Sequence, residues 1–144
     1  MNELIKKLRD EGNFTDAYLV AKNDLSRNID NLNCFRTFID IALEIASYNI
    51  LFEERKQYIT DANVALTMFS ESVVMDEDAI NIIKNTRIQI DEIAQKVLAE
   101  EQDFFESESR KIQDENTEHL GTLVKIYDDI QKSKTQTHTA TQKI

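Results

Sequence analysis

Apolar residues recur along this chain at spacings of three and four, the period of an amphipathic helix. Leu4, Ile5 and Leu8 form the first stripe and predict a helix from about Asn2 to Glu11. Gly12 and Asn13 should stop it, because both tolerate left-handed backbone. A second helix is expected to open near Thr15, read as its N-cap, and to carry Tyr18, Ala21, Leu25 and Ile29. Asn28–Asn31 then reads as a short connection. Phe35, Phe38, Ile39, Ala42, Ile45, Ala46 and Ile50 predict a third helix over about Leu32–Leu51, the most apolar of the set and so the central one. Ile59, Ala62, Leu66, Phe69 and Val73 mark a fourth over about Glu53–Val73, with Tyr58–Asp61 the place where it could break.

The second half is patterned differently. Asp76, Glu77 and Asp78 suit a helix N-terminus, where the helix dipole favours negative charge. Beyond them Ile80, Ile83, Ile90, Ala94, Val97 and Phe104 fall near a seven-residue repeat, interrupted by Arg87 and Glu101. This predicts a long fifth helix, with Ser107–Ser109 the best place for a turn and a continuous helix through it the alternative. Ile112, His119, Leu120, Leu123, Ile126, Tyr127 and Ile130 place a last amphipathic segment over about Arg110–Gln131, which Gly121 weakens by about 1 kcal/mol relative to alanine. From Lys132 onward no apolar period remains, so residues 133–144 are expected to form a polar, unstructured tail. Residues 1–132 then make one helical domain, with hairpins in 1–73 and the long and terminal helices in 76–132.

Composition strengthens the helical expectation. The chain has no proline and only Gly12 and Gly121, whereas β-rich and α/β folds of 144 residues normally need several glycines or prolines for their turns. The fold class is therefore all-α, in antiparallel hairpins or an irregular bundle of five to six helices. The net charge of −10 argues against generic binding to nucleic acid or to an anionic membrane. No stretch approaches the length of a membrane span, the N-terminus lacks the apolar run of a signal peptide, and the single Cys34 cannot make an internal disulfide. Cytoplasmic location is the resulting expectation.

Leu4 and Leu8, then Gly12 and Phe14, then Ala17 and Ala21 make a helix–turn–helix pattern that resembles a tetratricopeptide (TPR) repeat, a unit of 34 residues. Leu32–Val73 could be a second, degenerate unit, with Phe35, Phe38 and Ala42 on its first helix and Ala62 and Leu66 on its second. The likeness covers about half the chain. It departs from the family at Ile29, where a closing proline is usual, and at Asp24, where an alanine is. The resemblance implies a scaffold that holds a protein or peptide partner in a groove lined by the first helix of each pair. Its exposed groove positions here are Asn2, Lys6, Arg9, Asn33, Arg36 and Asp40. Lys6, Arg9 and Arg36 would then form a local basic patch suited to an acidic peptide or a C-terminal carboxylate. Ordinary solvated charge is the competing reading of the same residues.

The usual constellations of catalysis do not emerge. His119 and His138 lack the Glu-x-x-His spacing of bundle metal sites, and His119 reads as a satisfied helix-surface residue. There is no phosphate-binding glycine loop, no Cys-x-x-Cys and no nucleophile elbow. Cys34, beside Phe35, reads as a small buried hydrophobe. Neither enzyme chemistry nor a cofactor or metal is expected.

Charge supplies the second functional reading. Between Glu71 and Glu118 acids outnumber bases about three to one, and Glu100, Glu101, Asp103, Phe104, Phe105 and Glu106 set two aromatics inside an acidic run. That run is either a solvated helix face or a docking surface for a basic partner, as in an antitoxin-like inhibitory subunit. Homo-oligomerisation through the Ile80–Phe104 stripe is compatible with both readings.

Overall fold

A computed structural model describes the backbone of residues 2–48 and 50–142, and side chains over 2–48 and 50–133. Among the described residues the fold is all-helical, with five helices: α1 (Glu3–Asp10), α2 (Phe14–Arg27), α3 (Leu32–Ala46), α4 (Phe52–Ser72) and α5 (Glu77–Gln142). Two compact units divide the chain, Met1–Glu101 and Gln102–Ile144.

The first unit is built by consecutive packing, α1 on α2, α2 on α3 and α3 on α4. Caps set the helix ends. Asn2 and Asn31 accept hydrogen bonds from the backbone of Leu4 and Cys34, and Asp76 Oδ1 accepts from Ala79 N at 2.8 Å where α5 begins. Gly12 adopts φ 78°, the left-handed geometry that ends α1, and Asn13 N closes the turn on the Leu8 carbonyl at 2.7 Å. The expected cap at Thr15 lies inside α2, which opens from Asn13. α3 ends at Ala46, five positions short of the expected Leu51, where Ser47 turns its hydroxyl back onto the Leu43 carbonyl. α4 runs unbroken through Tyr58–Asp61.

The predicted centrality of α3 is observed. Phe35, Phe38, Ile39, Ile41, Ala42, Ile45 and Ala46 are all buried. Phe35 stacks on Phe69 of α4 with centroids 4.2 Å apart, and Tyr18 of α2 packs against both Phe38 and Tyr58. Ala17, Ala21, Ala42 and Ala62 have almost no exposed surface, which lets neighbouring helices approach closely. Ile90 and Val97 of α5 belong to the same core, with Ile83 packed against it. The middle of the near-heptad stripe is thus used inside the chain, while Ile80 and Phe104 at its two ends stay about half exposed.

The second unit is a single helical stretch. α5 passes through Ser107–Ser109 without a turn, since neither glycine nor proline stands there and serine costs a helix only a few tenths of a kcal/mol. Its bounds reach Gln142, beyond Lys132 where a polar tail was expected. The side chains of 134–144, His138 included, lie outside the described residues.

Candidate interaction surface

The six groove positions divide into three groups. Arg36 and Asp40 stand one turn apart on α3 and line a cleft of about 350 Å³ with Phe35 and Ile39 of the same helix. The α5 wall of that cleft is Ile82, Asn85, Thr86 and Gln89, one face of the helix at spacings of three and four. Thr86 turns its hydroxyl onto the Ile82 carbonyl, so Arg36, Asp40, Asn85 and Gln89 supply the polar groups facing the space. Phe35, Ile39 and Ile82 are its apolar members, the first two buried.

Arg9 of α1 reaches Glu44 of α3 in a 2.6 Å ion pair beside this cleft. Both Arg9 and Arg36 act on Asp40 and favour its charged form, but desolvation outweighs them and raises its pKa above the ordinary 3.8, helped by Glu44. Asn2 and Asn33 lie elsewhere, in a crevice of about 90 Å³ with Ile5, Ala21, Cys34 and Thr37, where Asn2 Nδ2 donates to Asp24 Oδ2 at 2.9 Å. Cys34 is half-buried there rather than enclosed. Lys6 occupies a third place, a shallow depression on α1 with Glu3, Lys7, Asp10 and Glu11. Each of the three cations of the expected basic patch therefore has an acid close by, and only Arg36 faces the α3–α5 cleft.

The acidic run divides as well. Glu100 pairs with Arg55 Nη1 at 2.6 Å and Glu101 with Lys56 at 2.7 Å, both inside the first unit. That bond to Glu101 raises the Lys56 pKa. Asp103, Phe104, Phe105 and Glu106 belong to the second unit, where the two rings meet edge-to-face at 5.7 Å and Glu106 faces Gln102 and Arg110.

Two features had no counterpart in the sequence reading. Arg55 is 2% exposed, donates from Nε to the Ala46 carbonyl at 2.7 Å and leaves Nη2 buried without a partner. In the run Glu53-Glu54-Arg55-Lys56 it looks like any surface charge. The second is an apolar groove of about 270 Å³ between α2 and α4, floored by Leu25, Ile29, Phe38 and Ala65. Val64 and Met68, four residues apart and off the main α4 stripe, stand exposed at its edge and were its only sequence signal. On its polar rim the Tyr18 hydroxyl donates to Asp61, and burial pushes that phenol well above its usual range.

Among the described residues no group of three histidine, cysteine or acidic side chains is disposed to hold a metal, and no helix is long and apolar enough to cross a membrane. Comparison with protein-family models, with curated proteins and with solved structures gave no match.

Proposed function

We propose that this chain is a protein-interaction module, cytoplasmic in setting, that holds an extended peptide segment of its partner in the cleft between α3 and α5. The observation carrying this is the lining of that cleft. Phe35, Ile39 and Ile82 lie under two side-chain amides, Asn85 and Gln89, and the guanidinium of Arg36, whose nearest acid is Asp40. Amides donate and accept, as a peptide backbone requires, and a guanidinium grips a carboxylate in bidentate fashion. A segment with one acidic group amid apolar residues fits this set better than a uniformly acidic one, since Asp40 stands beside Arg36. The TPR-like hairpins that the first half resembles bind peptides along the same kind of face, which agrees with this reading.

The alternative, an acidic inhibitory subunit, is left with a smaller surface. Glu100 and Glu101 are engaged by Arg55 and Lys56, so Asp103 and Glu106 would have to supply the charge. Panning a random peptide library displayed on phage against the full chain, then measuring the enriched peptides by fluorescence anisotropy, tests the cleft. Arg36→Glu should weaken capture at least tenfold and Asn85→Ala with Gln89→Ala should weaken it further. Undiminished binding by both variants rejects the cleft, and binding lost only with Asp103→Lys and Glu106→Lys favours the acidic surface.

A further inference from the structure

The second unit is one helix, and every one of its described residues except Glu108 is exposed. Its apolar side chains are neither few nor scattered. Phe105 is 58%, Ile112 56%, Leu123 62% and Ile130 49% exposed. A single helix cannot cover its own stripe, and a stretch of about 30 residues gains most of its stability from packing that stripe against something.

We propose that residues 105–130 form a parallel, in-register two-stranded coiled coil with a second copy of this chain. Spacing carries the first step. Phe105, Ile112, His119 and Ile126 recur every seven residues, and Ser109, Asn116, Leu123 and Ile130 recur every seven between them, offset by four and three. That alternation gives the d and a positions of a heptad seam. It starts one residue out of phase with the Ile83, Ile90, Val97 series that is used in the core of the first unit.

Area carries the second step. Seam residues together with the flanking Leu120 and Tyr127 present roughly 700 Å² of apolar surface per chain, close to the ~800 Å² per partner of a standard stable interface. Charge carries the third, and selects the orientation. In a parallel pair Glu108 meets Gln113 of the other copy and Glu115 meets Leu120, with no like charges opposed. In the antiparallel pair that best matches the seam, Glu108 faces Asp129 at both ends, a repulsion made twice. Asn116 supplies the register. At an a position of a parallel dimer it stands opposite its own copy, where two amides satisfy each other, and a one-heptad slip would set the Asn116 of one copy against Leu123.

This inference is independent of the peptide cleft, which lies in the other unit. Sedimentation equilibrium on the full chain between about 1 and 100 µM should give twice the 16.7 kDa chain mass. Leu123→Glu with Ile126→Glu should raise the dimer dissociation constant at least about 100-fold while leaving the tyrosine emission of the first unit unchanged. Val64→Glu with Met68→Glu, in the apolar α2–α4 groove, should leave it unaltered. In a Cys34→Ser background, Ser109→Cys should crosslink on mild oxidation, because only a parallel pair sets position 109 against itself. A monomer at 100 µM overturns the proposal, as does a dimer lost with Val64→Glu and Met68→Glu but kept with Leu123→Glu and Ile126→Glu. A dimer that resists crosslinking at position 109 overturns the parallel register.

Discussion

Replacing Arg55 separates two reasons for burying a charge. Its guanidinium lies on the C-terminal end of α3, with Nε on the Ala46 carbonyl, and on Glu100 of α5, and it covers the Phe52 ring at 5.6 Å. Ala46 has no exposed surface, so losing the donor strands a buried acceptor at about 1–3 kcal/mol. Glu100 is 44% exposed and can return to water, so when Arg55 is the residue removed the lost ion pair adds less than about 1 kcal/mol. The two stem methylenes that alanine lacks, Cγ and Cδ, add about 1.6 kcal/mol. Arg55→Ala should therefore cost about 3–5 kcal/mol. Arg55→Met keeps the stem and removes the unpartnered Nη2, and should cost about 1–2 kcal/mol. Glu100→Gln keeps an oxygen to accept from Nη1 but removes the counter-ion of a buried guanidinium, and should cost about 1–2 kcal/mol, less than Arg55→Ala. Urea titration followed by tyrosine emission reads this mostly from the first unit, since the chain has no tryptophan and Tyr18, Tyr48 and Tyr58 lie there while only Tyr127 lies in the second. If Glu100→Gln destabilises as much as Arg55→Ala, the ion pair and not the α3 carbonyl is what Arg55 serves, and the reasoning fails.

Three further tests address single features. Gly12→Ala should lose about 1 kcal/mol because φ 78° strains any side chain, whereas Gly121→Ala should gain about 1 kcal/mol of helix stability since its Cβ would meet nothing. Opposite shifts in the thermal melts of the two units are expected, and equal signs would contradict the backbone argument. Tyr18→Phe removes the hydrogen bond to Asp61 from a residue 5% exposed and should cost about 1–2 kcal/mol in the same urea titration, a neutral result showing that Asp61 is satisfied by water. Asp40 has a raised folded pKa, so its contribution to stability is full below 3.8 and is lost as pH rises through the folded value. Asp40→Asn should therefore stabilise the chain at neutral pH, by an amount that shrinks on acidification. A variant less stable than the parent at neutral pH would mean that Arg9 and Arg36 outweigh desolvation.

Where the period of apolar residues was long and clean, the elements could be read directly from it. α3 was expected to be central because its apolar face is broad, and nine of its fifteen residues are buried. Helix ends were less legible. They depend on how the backbone closes as much as on capping side chains: α2 opens from Asn13, whose backbone bonds Leu8 and Ala17 with no side-chain cap, and not from Thr15. Of the groove positions taken from the repeat pattern, Arg36 and Asp40 line one cleft while Asn2, Asn33 and Lys6 lie elsewhere, and the pattern carried no information on α5, whose Asn85 and Gln89 form the other wall. Arg55 could not have been found, because a buried cation and a solvated one are spelled alike. Its burial follows from where the α3 carbonyl ends, which is a tertiary fact.

The same limit explains why one spacing signal on α5 carries two meanings. Ile83, Ile90 and Val97 recur every seven residues, and the last two are buried because the first unit supplies Phe35, Ile39 and their neighbours to receive them. Phe105, Ile112, His119 and Ile126 recur every seven residues and the three apolar ones are exposed, in a unit with no second helix among the described residues. Hydrophobic periodicity states which face seeks cover, and it does not state who provides it. Before α1–α4 were placed, the first series was the natural choice for an oligomer seam. With them placed, that series is satisfied internally and the demand for a partner moves to the second, with Asn116 fixing its register.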